Sequence, residues 1–397
     1  MSMSDQDSDT EQDVLDDTVV NKYKMSAEVT NAVLLELIGL CVDGANIVEL
    51  CELGDRKICD KVSQLFKKEK EMRKGIAFPT AISVNNMIRH YSPIENEGFG
   101  PIEIKTGDLV KIDVGAHIDG YAAIVGHTFV VGASQDNKIT GRKADVILAA
   151  HAAAEAVIRL LKPGVENLKA SEIVSKTVTD FNCHAVEGMQ CHQMKKLVYD
   201  AEKNIVFSPT EEQKKTVEKC TFDINDVWNV DIIVSTGDGR PREHRARTTL
   251  FKKNETLYQL KMKAARQLYS EITNRFLAYP FSLRYLKYLM TIIRFSAFDD
   301  VKRARLGICE CIKHGVIEPL PVVCEKDDEF VAQFRFTVLL MPNGPMKVTG
   351  LTFDPSLYKS EHKVKDPEIK ELLSQPIKIQ NKKKKPLKPE SVAKISA

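Results

Sequence analysis

The sequence predicts an α+β protein in which helices open the chain, strands form its centre and a helical insertion precedes the last strand. Three observations support this fold class. Apolar residues recur at helical spacing over the first 70 residues, strand-like runs rich in Val and Ile begin at residue 109, and residues 253–318 return to a helical pattern. The length of 397 residues suits one large domain with an insertion and tails.

The composition indicates a soluble globular protein, with 43% hydrophobic and 28% charged residues. The first 20 residues carry seven acids, no Lys or Arg and no apolar run, so they do not resemble a signal peptide. The most apolar run, Tyr285–Phe298, contains Lys287 and Arg294 and is shorter than the roughly 20 apolar residues that span a membrane. Nine scattered cysteines without a CxxC pair indicate reduced thiols, and we expect an intracellular protein with no membrane insertion.

The acidic residues 1–20 predict a disordered N-terminus, because like charges repel and remain solvated. Two helices should follow. Met25–Leu40 has an apolar face, and Ile47–Lys70 has apolar residues at helical spacing until Gly75 stops the pattern.

The strands come next. Leu109–Val114 and Thr128–Val131 are β-rich, and His117–Gly120 supplies a hairpin turn between them. Ala144–Leu161 is an Ala-rich helix that Lys162-Pro-Gly164 closes.

Two further strands, Val227–Val234 and Phe330–Leu340, lie on either side of the helical insertion at residues 253–318. Beyond Tyr358 the chain becomes polar, then basic and interrupted by proline, which predicts mostly disorder. Residues 376–397 hold seven lysines against one glutamate.

Three segments resemble the type II methionine aminopeptidase, or pita-bread, family. Ala77–His90 is similar to the segment with the enzyme's substrate-side histidine, and Gly107–Gly120 to the hairpin with the first metal carboxylate. Val331–Leu340 is similar to the closing strand with the last bridging glutamate. The resemblance implies a pita-bread domain over residues 21–358, with its helical insertion at 253–318, between a disordered N-terminus and a mostly disordered tail, residues 359–397.

Four other segments resemble the proliferation-associated (ErbB-receptor-binding) protein family, a non-peptidase branch of the same superfamily. They are Phe66–Met72, Thr140–Val146, Met341–Met346 and Leu357–Ser360. This match is specific because these segments have no catalytic role. The resemblance implies association with RNA and with ribosomal or pre-ribosomal particles, in cytoplasmic, nuclear and nucleolar pools.

The peptidase family holds two metal ions with two Asp, one His and two Glu. The matching positions in this chain are Asp113, Ile124, Met189, Asp231 and Arg335. Ile124 has no donor atom, and the Met189 thioether is a poor ligand for hard divalent ions. Arg335 is always charged and has no lone pair to donate. We therefore expect no metal, no cofactor and no peptidase activity, and we expect Arg335 to pair with Asp113 and Asp231 in place of the ions.

Three histidines near these positions in the sequence bear on whether a metal site or a substrate contact remains. His90 matches the enzyme's substrate-side histidine, and without a metal-bound nucleophile we interpret it as structural or ligand-facing. His117 and His127 flank Asp113 in sequence, so a rearranged site with one metal ion is an alternative. We favour hydrogen-bonded, structural histidines.

Basic residues supply the candidate RNA-binding surface. The first group is Lys61, Lys67, Lys68, Lys70, Arg73 and Lys74, and the tail adds Lys378, Lys382, Lys383, Lys384, Lys385 and Lys388. Such clusters bind phosphate backbones by charge. The alternatives are a solvated helix end that complements the helix dipole and a tail that only adds solubility.

Two segments allow other readings. Ile369–Leu373 nearly matches the LxxLL helix that docks on nuclear receptors, or it is a short helix folded back on the domain. Residues 285–296 are absent from the pattern of the closest family; they form a partner-binding helix or, as we favour, reflect a retained intron or gene-model error.

The predicted function is that of a catalytically inactive, monomeric aminopeptidase-like protein that binds RNA and ribosomal particles and regulates growth, translation or transcription. The alternative is a protein scaffold or transcriptional co-regulator that binds receptor or transcriptional partners through the cleft or tail. An active metallo-aminopeptidase is the least favoured hypothesis.

Overall fold

The computed structural model describes residues 15–94, 99–284 and 301–377, with the backbone alone for 301–305. Its helices are α1 (Asp17–Leu40), α2 (Ile47–Gln64), α3 (Arg142–Leu160), α4 (Asn167–Thr179), α5 (Gln213–Thr216), α6 (Lys263–Phe276), α7 (Val301–Lys313) and α8 (Pro367–Ser374). A 3₁₀ turn spans Pro355–Leu357.

The strands alternate with these helices along the chain, as expected for an α+β protein. They are β1 (Lys74–Val84), β2 (Met87–Arg89), β3 (Leu109–Ile118), β4 (Tyr121–Val130), β5 (Ile139–Thr140), β6 (His184–Ala185), β7 (Gln190–Met194), β8 (Asn204–Val206), β9 (Val227–Ser235), β10 (Arg242–Glu243), β11 (Leu250–Lys253), β12 (Phe281–Ser282), β13 (Ile317–Leu320), β14 (Val323–Cys324), β15 (Val331–Met341), β16 (Gly344–Lys347) and β17 (Tyr358–Lys359).

One large sheet organises the described residues. Its main path runs β1-β3-β4-β15-β9-β7-β8, with β16 paired to β15 and β6 paired to β9. Three small sheets accompany it, in the orders β10-β14-β2, β12-β11-β13 and β17-β5. The predicted hairpin is confirmed, because β3 and β4 pair from Leu109 with Val130 to Ile118 with Tyr121 around the turn at Asp119 and Gly120.

Helices cover one face of this sheet, and the period-2 alternation of the strands shows which face. On β9, Trp228, Val230 and Ile232 pack in the apolar core beneath α3 and α4. The intervening residues Asn229 and Asp231 point to the opposite face and line a cleft. The helices therefore leave the polar residues of the same strands on the open face.

The two N-terminal helices differ from their predicted bounds. Helix α1 begins at Asp17 rather than Met25, because the Asp16 side chain accepts a hydrogen bond from the Val19 amide at 2.8 Å and caps the helix. Part of the acidic segment is thus helical. Helix α2 ends at Gln64 rather than Lys70, since Phe66 has a φ of 46° and leaves the helical conformation.

The insertion forms a small core of its own. The α6 residues Leu268 and Ile272 pack against Phe281 and against Ile308 of α7. Helices α6 and α7 agree with the predicted helical character of this region, whereas β12 and β13 were not predicted. The predicted extra segment, residues 285–296, lies outside the described residues.

The tail is ordered further than the sequence predicted. Helix α8 folds back on the domain, where Ile369 is fully buried and packs against Ala156 of α3 and Ile173 of α4. Glu368 forms an ion pair of 2.8 Å with Lys169. Of the two readings of residues 369–373, the helix folded back on the domain is the one present.

Within the ranges that the structure describes, no helix has the length and apolarity needed to cross a membrane.

Candidate functional site

The register of the large sheet places three of the predicted site residues, Asp113, Arg335 and Asp231, in one row. Asp113 on β3 pairs with Gly126 on β4, Gly126 with Arg335 on β15, and Arg335 with Asp231 on β9. Residues paired across neighbouring strands point to the same face. Four consecutive strands therefore place two acids and one arginine side by side on the face that the helices leave open.

Gly126 allows Arg335 and Asp113 to approach each other across strand β4. A Cβ atom at this position would lie 2.8 Å from the Arg335 Cβ atom and 2.8 Å from Asp113 Oδ1. Any side chain on β4 would thus separate the arginine from the acid two strands away.

Arg335 is buried and almost fully engaged. Its Nη1 atom lies 3.5 Å from Asp113 Oδ1, its Nε donates to Asn229 Oδ1 at 3.0 Å, and its Nη2 donates to the Tyr199 hydroxyl at 2.7 Å. The guanidinium also lies 4.5 Å from the centre of the Phe78 ring, within the range of cation–π attraction.

Burial would lower the pKa of Arg335, but attraction to Tyr199, Asp231 and Asp113 outweighs it and holds the pKa above its ordinary value. The site therefore contains a permanent cation.

Asp231 is held differently from the prediction. The predicted pairing of Arg335 with both acids is found only for Asp113, at the limit of hydrogen-bond distance. The Gln333 amide instead donates to Asp231 Oδ1 at 2.8 Å and to Asp113 Oδ1 at 3.1 Å. Gln333 thus joins the two carboxylates.

The surroundings of Asp113 change the pKa of its carboxyl group. Burial raises the pKa of Asp113 to about 7, although the Arg335 guanidinium acts against the rise and the Asp231 carboxylate adds to it. The acid can therefore take up a proton near neutral pH.

The two positions without a metal ligand lie in apolar surroundings. Ile124 is fully buried with Phe78 and Tyr121, and Met189 packs with Ile88 and Ile233. Both side chains pack in the apolar core next to the cleft.

The donor set does not fit two divalent ions. Bridging carboxylates must offset four positive charges, but Asp113 and Asp231 share the site with the Arg335 cation. Among the described residues, no group of three His, Cys, Asp or Glu side chains is arranged around a common point that could hold a metal. No chemical step through a metal follows from this arrangement.

His90 lies on the wall of the cleft and is fixed by the backbone. Its Nδ1 atom is 3.1 Å from the Pro321 carbonyl oxygen, so Nδ1 carries the proton and donates. Burial holds the pKa of His90 well below its ordinary value, and the neighbouring Arg89 adds to this effect. A neutral ring with one free nitrogen faces the cleft.

The alternative site with one metal ion and three neighbouring side chains is wrong. His127 pairs with Ile112, so it lies on the helix-covered face, opposite to Asp113. Its ring packs edge-on against Phe334 at 5.4 Å. His117 stacks on Tyr279 at 4.8 Å, and both of its ring nitrogens are buried without a hydrogen-bond partner in the described residues.

The cleft itself remains open. A cavity of about 290 Å³ lies over the row, and its wall includes residues that the sequence analysis did not single out. They are Phe78, Arg89, Gln190, His192, Tyr199, Asn229, Lys252 and Gln333. Phe78, Arg89 and Gln333 lie in the segments that resemble the peptidase family, but none of these eight residues matches one of its five metal-ligand positions.

The first basic group divides into exposed and engaged residues. Lys67, Lys68, Lys70 and Arg73 are exposed, and no described residue forms an ion pair with them. Lys61 forms an ion pair with Glu36 at 2.9 Å.

Lys74 donates to the Leu65 carbonyl oxygen at 2.5 Å, where it caps the end of α2. The interpretation as a solvated helix end thus applies to Lys74. The other four cations, Lys67, Lys68, Lys70 and Arg73, have no ion-pair partner among the described residues and remain available to a ligand. Lys378, Lys382, Lys383, Lys384, Lys385 and Lys388 lie outside the described residues.

A second basic segment was missed. Residues 240–247 hold four arginines, and Arg240 has 74% of its side chain exposed. Arg242 is partly neutralised by Glu325 at 2.8 Å. The number of arginines in this short stretch was the signal in the sequence.

Comparison with known proteins agrees with this geometry. The profile of metallopeptidase family M24 matches residues 21–219. The ERBB-3 binding protein 1 of Arabidopsis thaliana is 41% identical over 95% of this chain and 91% of its own length. The curved DNA-binding protein of Schizosaccharomyces pombe is 38% identical over 93% of each chain. The proliferation-associated protein A of Dictyostelium discoideum is 36% identical over 94% of this chain and 92% of its own length.

Solved structures agree on the fold. A thermophilic Arx1 superposes with a TM-score of 0.82 at 30% identity, covering 92% of this chain and all of its own. A methionine aminopeptidase from Thermotoga maritima gives a TM-score of 0.54 at 15% identity, covering 85% of this chain and 99% of its own, and it shows the pita-bread fold alone. The chain therefore belongs to metallopeptidase family M24, in the branch of the proliferation-associated, ErbB-3-binding proteins.

Proposed function

We propose that this protein is a catalytically inactive member of its family that binds RNA and ribosomal particles as a monomer in the cytoplasm, nucleus and nucleolus. One observation carries the proposal: Arg335, at the position where the resemblance implies a bridging glutamate, lies between Asp113 and Asp231 and is held there by Asp113, Asn229 and Tyr199. A buried cation fixed by three partners repels metal ions. The cleft then has no means to activate water for hydrolysis.

The exposed cations support the nucleic-acid half of the proposal. Lys67, Lys68, Lys70 and Arg73 stand together after α2 without ion-pair partners in the described residues. A relative that is 38% identical bears the name of a curved DNA-binding protein. The resemblance to the proliferation-associated family adds RNA and ribosomal particles as the class of ligand. Growth, translation or transcription would be regulated through these contacts.

RNA binding is tested with four forms of the full chain: the wild type, a form without residues 376–397, a Lys67→Gln/Lys68→Gln/Lys70→Gln variant and a Lys214→Gln/Lys215→Gln/Lys219→Gln variant. The last is the matched control, because it removes the same charge from another exposed surface. Crosslinking to total RNA and titration of a structured RNA at several salt concentrations are measured.

The proposal predicts that the first triple variant or the truncation loses affinity, while the control does not. Each lost phosphate contact lowers the slope of log K against log salt by about 0.7–0.9. RNA binding that is absent from the wild type, or equal in all four forms, would contradict the proposal.

A protein scaffold is the second candidate, since a relative that is 41% identical is named for binding ERBB-3. The structure disfavours one route to it, because Ile369 is buried and cannot dock on a receptor while α8 stays in place. Binding of a protein partner that is insensitive to salt, with no RNA bound, would favour this candidate.

A further inference from the structure

Arg89 is a charged group of the cleft that the proposed function leaves without a role. It ends β2, where it pairs with Val323 of β14, and its side chain lines the cavity of about 290 Å³. Its Nε atom is buried and has no hydrogen-bond partner, and no carboxylate among the described residues forms an ion pair with it. Arg335, by contrast, is held by three polar side chains of the same cavity.

This arrangement is unfavourable for the protein alone. Burial lowers the pKa of Arg89, and the attraction of Asp231 only opposes that effect from a distance. An arginine nevertheless remains charged in proteins. The Arg89 side chain is partly exposed to the cavity, and its enclosed Nε donor has no partner among the described residues, so the arrangement points to an anion that completes the site.

The cavity also presents an unpaired acceptor. The Gln333 amide nitrogen is committed to Asp113 and Asp231, and this fixes the orientation of the group. The remaining Gln333 Oε1 atom is buried and has no hydrogen-bond partner among the described residues. A ligand that satisfies the whole cavity must therefore accept from Arg89 and donate to Gln333.

The neighbouring Asp231 carboxylate further limits the kind of anion that fits the cavity. An anion without a hydrogen would meet this negative charge with nothing to donate. A phosphate group that keeps one proton has both properties, since its oxygens accept and its hydroxyl donates.

We propose that the cleft binds a protonated phosphate group, with Arg89 donating to its oxygens and Gln333 Oε1 accepting from its hydroxyl. The cavity of about 290 Å³ also accommodates a small organic substituent, so free phosphate and the phosphate end of a small monoester share this chemistry. The inference goes beyond RNA binding at the exposed lysines, because neither Arg89 nor Gln333 belongs to that surface.

The test is calorimetric titration of the full chain with inorganic phosphate, glycerol phosphate and sulfate at pH 6 and constant ionic strength. Sulfate has the same tetrahedral shape but carries no hydroxyl at this pH. Phosphate or glycerol phosphate is expected to bind at least about tenfold more tightly than sulfate. The tighter of the two phosphates identifies the source of the group.

Two variants locate the binding. Arg89→Gln is expected to lose at least about tenfold in phosphate affinity. It is also expected to melt at a higher temperature, because the enclosed Nε donor without a partner is gone. Arg56→Gln, on the exposed side of α2, is the matched control and should bind as the wild type does.

Three results would overturn the proposal: no phosphate binding by the wild type, equal affinity for sulfate and phosphate, or unchanged phosphate affinity in Arg89→Gln. Should Arg89→Gln fail to fold, Arg89→Lys decides the question. This variant keeps the charge but loses the planar fork, so weaker phosphate binding supports the proposal and unchanged binding overturns it.

Discussion

Arg335 and Asp113 meet across an intervening strand, with Arg335 Nη1 3.5 Å from Asp113 Oδ1 above the bare backbone of Gly126. The relationship depends on three strands in register, and it places a cation between Asp113 and Asp231. The chain itself thus supplies a cation beside Asp113.

Arg335→Glu is expected to destabilise the protein by about 3–5 kcal/mol, because it removes the cation and adds a third buried carboxylate beside Asp113 and Asp231. Arg335→Lys keeps the charge but cannot serve Asp113, Asn229 and Tyr199 together, so a loss of about 1–2 kcal/mol is expected. Urea unfolding at pH 7.5 measures both. A stability of Arg335→Glu equal to or above that of the wild type would refute the structural role of the cation.

Gly126→Ala tests the close approach of the two side chains. The new Cβ atom would lie 2.8 Å from both Arg335 Cβ and Asp113 Oδ1, and a loss of about 1–3 kcal/mol is expected from the strain. Gly39→Ala is the control. It lies within α1 with no atom within 4 Å of its new Cβ, so it should stabilise the helix by about 0.5–1 kcal/mol. Equal effects of the two changes in denaturant unfolding would argue against the packed row.

Lys111→Met tests a second buried charge on β3. Lys111 is fully buried, and its Nζ atom donates to the Asn85 carbonyl oxygen at 3.0 Å. Burial lowers its pKa to about 7, against the attraction of Asp113 and Asp108. The replacement removes a buried amine at similar volume, so the unfolding free energy should rise by about 1–4 kcal/mol at pH 7.5.

The pH dependence of this gain has a definite sign. Between pH 10.5 and about 7 the unfolded chain holds a proton on Lys111 that the folded protein does not, so stability falls as the pH is lowered. The gain from Lys111→Met should therefore shrink as the pH approaches 10. Exposed Lys105→Met is the control and should change stability by less than about 0.5 kcal/mol. A gain independent of pH would exclude a titrating Lys111 as its cause.

Ile369→Asp is expected to release α8 from α3 and α4, because it places a charge in the apolar contact with Ala156 and Ile173. Hydrogen exchange should show the α8 amides losing at least about tenfold in protection while the rest of the domain is unchanged. Glu371→Gln, on the exposed side of the same helix, should leave protection unaltered. Full protection in Ile369→Asp would mean that other contacts hold the tail.

The turn at Gly120 and the strands that carry Asp231 and Arg335 were predicted within a few residues, because their composition and turn residues are local signals. The prediction of strand β4 began seven residues too late, at Thr128 instead of Tyr121, and strand β1 (Lys74–Val84) was not predicted. The identity of the site residues came from the resemblance, which fixed their order along the chain. Their side-by-side placement then followed from the pairing of the strands.

Other features could not be predicted because they depend on tertiary contacts. Gln333 carries no charge and matches no metal-ligand position, yet the sheet places its amide between two acids. Nothing in the sequence distinguishes Arg89 from other arginines at strand ends. Only the structure shows that its Nε atom has no partner among the described residues. The early end of α2 depends on the single backbone conformation of Phe66, and the burial of Ile369 runs against the polar composition of the tail around it.

Metal content and peptidase activity of the purified protein show whether the cleft still binds metal ions and uses them. The purified full chain is analysed for bound metals and assayed on a Met-Ala-Ser peptide with added Co²⁺ or Mn²⁺. We expect no stoichiometric metal and no release of methionine, because the Arg335 cation lies between Asp113 and Asp231 on the open face of the sheet. Stoichiometric metal together with turnover of the peptide would contradict it.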